Sequence, residues 1–137
     1  GARKIFDGLG VHPYESSTQN MLKALRGTRE ALNSLGATKT DMWITEFGWS
    51  TTGPVAQGRT KTESQQAQLI KNSLTKIIGE RKKLRVRSAI YYSWIDLPPH
   101  PGGDDYWGLH TGILRPDGSP KPALNAFGQA DKYAKAG

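Results

Sequence analysis

No cysteine occurs in the chain, so neither a disulfide framework nor a thiolate metal site can form, and the redox compartment stays open. Long apolar runs are missing as well; none approaches the ~20 residues that a helical membrane span requires. Histidine is sparse. His12, His100 and His110 lie far apart and give no ligand-spaced pair, which argues against a metal centre. Asp104-Asp105 follows two glycines but lacks the alternating oxygen spacing of a calcium loop. Lys39-Thr40 has no Gly at the position a P-loop needs, and Gly8 and Gly10 are followed by no third Gly and no immediate helix. No Gly-x-Ser-x-Gly element supports serine-hydrolase chemistry. Hairpin signals such as Asn-Gly between alternating runs do not occur. Residue 1 is Gly rather than Met and no charged-then-apolar leader follows, so the expectation is either a processed start or a piece of a longer chain.

What is there suits one compact domain over residues 1–137, with 36% hydrophobic and 23% charged residues. Acids are outnumbered, 12 against 19 Lys and Arg, which leaves a formal charge of +7. Much of that excess sits in one run, Arg81-Lys82-Lys83-Leu84-Arg85-Val86-Arg87. Such a run serves either as a polyanion contact or as a helix C-terminus whose cations complement the dipole. No aromatic residue interleaves to stack on bases, so the helix end is the better reading and no nucleic acid is expected.

The stretch that organises the chain is residues 42–49, MWITEFGW. A short apolar run flanked by turn-prone residues reads as a strand buried on both faces. Strict alternation would put Met42, Ile44 and Glu46 on one face and Trp43, Thr45 and Phe47 on the other. Glu46 then stands at the strand's C-terminal tip beside core residues, where an unpaired charge is costly. The plain alternative is a strand-end Glu paired with a nearby Lys or Arg.

Around it the pattern is strand then helix, three times. Residues 5–14 (IFDGLGVHPY) begin as a strand, with Gly8 and Gly10 allowing close packing and His12 and Tyr14 sharing a face. Residues 16–35 switch to helical spacing: Ser16 and Gln19 form a capping-box signature, Met21, Leu25, Thr28, Leu32 and Leu35 make one stripe, and Gly36 ends the helix. Thr62 and Gln65 open a second helix to about Gly79, with Ala67, Ile70, Leu74, Ile77 and Ile78 facing the core. Residues 88–96 (SAIYYSWID) read as the third strand. A Pro/Gly-rich loop over residues 97–107 and a turn at Pro116-Asp117-Gly118 follow. They lead to a last helix capped by Ser119, with Pro120 at its first position and Ala123, Phe127, Ala130 and Ala134 buried. Amphipathic helices alternating with short apolar strands require an α/β fold with a parallel sheet.

In such sheets functional residues gather at the C-terminal strand ends. Those ends carry His12 and Tyr14, then Glu46 and Trp49, then Trp94 and Asp96. A carboxylate among a His, a Tyr and indole rings suits a sugar cleft, where flat apolar faces stack on pyranoses and the ionised acid attacks an anomeric carbon.

His-Pro-Tyr, Thr-Glu-Phe-Gly-Trp and Tyr-Tyr-Ser-Trp at successive strand ends resemble the last three strands of clan A retaining glycoside hydrolases. These are (β/α)8 barrels of the cellulase, β-xylosidase and β-galactosidase kind. The tail, Tyr-Trp-Gly-Leu and then Pro-Asp-Gly-Ser-Pro-Lys-Pro-Ala, resembles the closing segment of family 39 and family 5 members. The resemblance spans nearly the whole chain. It implies a partial TIM barrel of three consecutive parallel βα units, strands six to eight. Glu46 matches the strand-seven nucleophile, His12 and Tyr14 the strand-six residues at the nucleophile or the sugar, and Trp94 the floor of the cleavage subsite. The family also often has a non-proline cis bond after that tryptophan, here Trp94–Ile95. Trp49 and Trp107 are the further candidates for lining the cleft, Trp107 equally a pin for its own loop.

The acid/base half, at the end of strand four in the family, has no counterpart in this sequence. The expected function is therefore the C-terminal, nucleophile-bearing part of a retaining glycoside hydrolase, with little turnover alone, no cofactor and no metal. A carbohydrate is the expected partner, together with a second copy or a complementing barrel half at the open strand edges. The alternative is a non-catalytic carbohydrate-binding or scaffold module that stacks sugars on Trp49, Trp94 and Trp107.

Overall fold

A computed structural model describes residues 6–56, 58–99 and 101–135. The expected Ile5 strand position, His100 and the side chain of Ala134 lie outside the described residues. Three strands, β1 (Gly8–Val11), β2 (Asp41–Phe47) and β3 (Val86–Tyr91), form one parallel sheet in the order β1-β2-β3. Helices α1 (Thr18–Ser34) and α2 (Glu63–Leu84) make the two crossovers, and α3 (Pro122–Gly128) and α4 (Ala130–Lys135) close the described chain. This is an α/β, partial barrel-like arrangement of three βα units. No helix is long and apolar enough to cross a membrane among the described residues.

Only one face of the sheet is covered, which corrects the expectation of a strand buried on both faces. Met42, Ile44, Phe47, Val86 and Tyr91 pack with Met21, Leu25, Leu32, Ile70, Leu74 and Ile77 into a single core on the helix side. Trp43 and Ile90 stand exposed on the opposite face. Gly8 and Gly10 belong to that open face too; a Cβ on Gly8 would come 3.2 Å from Trp43 Nε1, and one on Gly10 3.5 Å from Thr45 Oγ1. Their place is beneath neighbouring side chains rather than in a crowded core.

The helices keep their expected positions with local corrections. The N-cap of α1 is Ser17, whose Oγ accepts from Asn20 N at 3.2 Å, one residue beyond the Ser16 box. Its buried stripe is Met21, Leu22, Leu25, Arg29 and Leu32, while Leu35 is exposed. Arg29 is buried because it works as a clamp, donating from Nη1 to Thr40 O at 2.7 Å and from Nη2 to Ala37 O at 3.2 Å. Those carbonyls belong to the α1–β2 loop; Ala37 O also accepts from Thr40 N at 3.1 Å, so the guanidinium reinforces a turn that is already hydrogen-bonded. The Thr62–Gln65 box on α2 forms in both directions. That helix runs past Gly79 to Leu84, with Arg81, Lys82 and Lys83 in its last turn and Arg85 as a left-handed C-cap. The basic run is thus a helix end, and Arg85 and Arg87 pair with Asp41 at 2.7 and 2.6 Å. The third strand stops at Tyr91 rather than 96, and the last helix is capped at Lys121 with Pro122, not Pro120, in its first turn.

Candidate active site

A bulge in β2 aims the site. Ile44 pairs with Ala89, but the next pairing joins Phe47 to Tyr91, so β2 carries one residue more than β3 across that interval. An extra residue shifts the alternation by one. Phe47 therefore falls in with Met42 and Ile44 on the helix side, and Glu46 goes to the open face. Strict alternation had put Glu46 with Met42 and Ile44; the bulge overturns that. Glu46 is now beside the end of β1, whose alternate positions Gly8, Gly10, His12 and Tyr14 continue along the same face.

There the Tyr14 hydroxyl donates to Glu46 Oε2 at 2.7 Å, and His12 Nδ1 lies 3.6 Å from the same oxygen. The His12 and Tyr14 rings meet edge to face at 6.3 Å. Both polar contacts fall on Oε2, which leaves Oε1 without a partner among the described residues. The Glu46 side chain is 38% exposed, so the carboxylate sits on an open shelf rather than in a closed pocket.

Aromatic residues frame that shelf. Trp107, in a short 3-10 turn (Trp107–His110), packs edge to face on Tyr14 with ring centroids 4.9 Å apart. Arg59 places its guanidinium over the other ring system, Cζ 5.0 Å from the Trp107 centroid. Burial and the neighbouring Tyr106 and Glu46 push the Tyr92 phenol pKa up; its backbone N donates to Phe47 O at 2.9 Å. Tyr92 and Arg59 were missed in the sequence. The second of two adjacent tyrosines carries no signal separating it from Tyr91, which is buried in the core. A lone Arg in a polar loop carries none either.

Two of the expected tryptophans are elsewhere. Trp49 is 1% exposed and gives its Nε1 proton to Glu15 O at 2.7 Å. Its ring packs on Phe47, so neither face is open to a sugar, which corrects its expected role as a stacking platform. Trp94 is 62% exposed on the stretch after β3 and makes no aromatic contact with the Glu46 cluster among the described residues. The non-proline cis bond joins Tyr92 to Ser93, not Trp94 to Ile95.

Several other carboxylates are engaged with partners of their own. Glu63 is bound by Arg115 at 2.6 Å, Asp105 by His110 at 2.6 Å and Asp96 by Lys121 at 2.6 Å, while Glu80 pairs with Arg26. Glu15 lines a surface hollow with Asn20, Lys23 and Ala24. Among the described residues no group of three His, Cys, Asp or Glu could hold a metal ion.

A family model described as the glycosyl hydrolase catalytic core matches residues 4–95, about two thirds of the chain. The chain belongs to that family. Glu46 and its partners His12 and Tyr14 all lie within the matched stretch. No curated protein matches. Solved structures share the fold of this glycosyl hydrolase core. An active-site mutant of the Rhizomucor miehei β-1,3-glucanosyltransferase, solved with laminaritriose, is similar at 21% identity and a TM-score of 0.61, over 88% of this chain and 43% of that one. The Ruminococcus gnavus β-glucuronidase is similar at 18% identity and a TM-score of 0.62, over 97% of this chain and 23% of that one. The family 2 β-galacturonidase of Eisenbergiella tayi bound to galacturonate reaches a TM-score of 0.65 at 17% identity, over 96% of this chain and 24% of that one. The chain thus spans under half the length of each, and at these identities the likeness is one of fold.

The electrostatics of this glycosyl hydrolase core give one pH prediction. Burial raises the Tyr14 phenol pKa well above its ordinary value, and the hydrogen bond and charge of Glu46 raise it further. Burial likewise raises Tyr91 and Tyr92. A phenol kept neutral in the fold but free to ionise near pH 10 when unfolded stabilises the native state below about pH 10. That stability is lost as pH climbs further. Thermal melts between about pH 9 and 11 should fall more steeply for wild type than for Tyr14→Phe. Parallel curves would rule out the Tyr14 contribution.

Proposed function

We propose that Glu46 is the nucleophile of a retaining glycoside hydrolase site, of the clan A type, in the strand-seven position. The observation that carries this is the arrangement at Oε2: Tyr14 donates to that oxygen, His12 Nδ1 lies 3.6 Å from it, and Oε1 is left without a partner among the described residues on an open shelf. A carboxylate oriented through one oxygen presents the other as an attacking atom. In the reaction an Oε1 lone pair forms a bond to the anomeric carbon while the bond to the leaving oxygen breaks and keeps its electrons. The resulting glycosyl ester is later opened by water. Tyr14 stays protonated throughout and steers the charge; the half-exposed His12 lies within reach of a sugar hydroxyl.

Protonating the leaving oxygen requires a second carboxyl group about 5–5.5 Å from the nucleophile. The pairing of Glu63, Glu80 and Asp96 with Arg or Lys, and of Asp105 with His110, argues against each of them. The chain by itself is therefore a binding and nucleophile-bearing unit with little turnover. A fluoride-activated 2-deoxy-2-fluoro glycoside needs little acid assistance: Oε1 attacks, the C1–F bond breaks and fluoride departs. Incubation should add one glycosyl mass to Glu46 and none to Glu46→Gln; a folded sample that stays unlabelled sinks the assignment.

The substrate we propose is a β-linked glycan or glycoside, the kind named for the glucanosyltransferase and glucuronidase neighbours. The partner is a second copy of the chain or a complementing set of βα units. Three strands do not close a barrel, and among the described residues no strand pairs with the outer edge of β1 or β3, while Trp43 and Ile90 stand exposed. Light scattering at micromolar concentration should show association; a folded, strictly monomeric species counts against it. The exposed Trp94 ring favours one other reading, a non-catalytic sugar-binding module. Under that reading Glu46→Gln keeps full glycan affinity.

A further inference from the structure

Arg59 has no acidic partner among the described residues. Arg26, Arg85, Arg87 and Arg115 each meet a carboxylate, and Arg29 is committed to two backbone carbonyls. Arg59 instead lies over the face of Trp107, and its Nε is buried with no hydrogen-bond partner among the described residues. The Nε atoms of Arg29 and Arg85 are likewise buried without a partner, so what sets Arg59 apart is its place over Trp107 without a carboxylate beside it. Its position is specific. Trp107 rests edge-on against Tyr14, and Tyr14 donates to Glu46, so the cation lies two ring contacts from the attacking carboxylate. The loop that carries it is anchored, with Arg59 N donating to Ala56 O at 2.8 Å and the next residue, Thr60, bridged to Ser50.

Stacking on an indole fixes the plane of a guanidinium while leaving its in-plane donors free. That fork matches a planar two-oxygen anion, which it binds through parallel hydrogen bonds. Among sugars, this group is the carboxylate of a uronic acid. We propose that Arg59 is a specificity residue that binds the carboxylate of a uronosyl unit, and that acidic β-linked glycans are the substrate class of this cleft. The inference rests on the reading of Glu46 as the glycosidic site and adds the charge of the sugar to it.

The test is calorimetric titration of the chain with three matched oligosaccharides. One is a neutral β-linked gluco-oligosaccharide, the second carries glucuronic acid in place of one glucose, and the third carries a sulfate ester. A charge-assisted pair should make the uronate bind about 10–100-fold tighter than the neutral sugar. Arg59→Gln should bring that ratio close to one, the loss falling mainly on the uronate, and Arg59→Lys should keep part of it. A ratio near one in wild type, or a ratio that survives Arg59→Gln, overturns the proposal. Equal losses on neutral and acidic sugars mark Arg59 as packing only and also overturn it. A preference for the sulfate over the uronate removes the carboxylate assignment. If no oligosaccharide binds while Glu46 still takes the fluoro-sugar label, Arg59 fails and the nucleophile stands. Absence of both binding and label brings down the nucleophile assignment and this inference with it.

Discussion

Lys121→Met is expected to lower stability by about 3–5 kcal/mol, the cost of leaving one charge of a buried pair alone. Lys121 and Asp96 have side-chain exposures of 1% and 5%, with Nζ 2.6 Å from Oδ2. The ammonium also donates to Thr51 Oγ1 at 2.8 Å, and the other Asp96 oxygen accepts from Gly112 N at 2.7 Å. One side chain thus joins the loop after β2, the stretch after β3 and the start of α3. Methionine matches the stem but supplies no charge and no donor, so Asp96 keeps only the Gly112 N hydrogen bond in a buried site. Against a total stability of roughly 5–15 kcal/mol, that loss should lower the melting temperature by on the order of 10–20 °C. Replacing both partners, Asp96→Leu with Lys121→Met, should recover much of the loss, because the isolated charge is the expensive state. A single variant that melts within a degree or two of wild type contradicts this account.

Gly48→Ala is expected to damage stability and the site together. A Cβ there would lie 2.1 Å from the Tyr92 carbonyl oxygen and 3.3 Å from its carbon. The obstacle is backbone, so no rotamer relieves it; β2 and the chain after β3 must separate. Such overpacking costs about 1–3 kcal/mol or more, and here it falls between Glu46 and Tyr92. The Phe47 O to Tyr92 N hydrogen bond at 2.9 Å spans the same gap. Labelling of Glu46 by the fluoro-glycoside should be lost even where the variant remains folded. Gly79→Ala makes the same chemical change inside α2, where nothing lies within 4 Å. It should stabilise by about 0.5–1 kcal/mol through helix propensity. If the two variants melt alike, the close approach at Gly48 is wrong.

Buried polar residues account for much of what the sequence hid. Gln66 Nε2 has contacts within hydrogen-bond distance to Trp49 O, Tyr91 Oη, Thr111 O and Gly112 O, at 2.9 to 3.2 Å. It holds the loops behind the shelf to α2. On a helical wheel it is only a polar residue beside an apolar stripe, as Arg29 is in α1. Periodicity scores a side chain by its own polarity, whereas burial here is decided by carbonyls that arrive from distant segments. Trp49 was misread for a related reason: an indole near a strand end fits a sugar platform or a core equally well. Only the carbonyl of Glu15, 34 positions away, decides between them.

The sequence alone determined the order of elements, the parallel sheet, the Thr62 cap, the Gly36 and Gly118 turns and the three strand ends at which His12, Tyr14 and Glu46 occur. These follow from local spacing and backbone preference, which act over a few residues. Tertiary structure decided which way Glu46 points. Counting alternate residues put it on the face of Met42 and Ile44; pairing with β3 inserted an extra residue in β2 and turned it to the open face. A bulge is a property of two strands in register, so one strand read alone cannot contain it. For the same reason the contacts of Tyr14 with Glu46, of Trp107 with Tyr14 and of Arg59 with Trp107 existed only once separate segments had packed together.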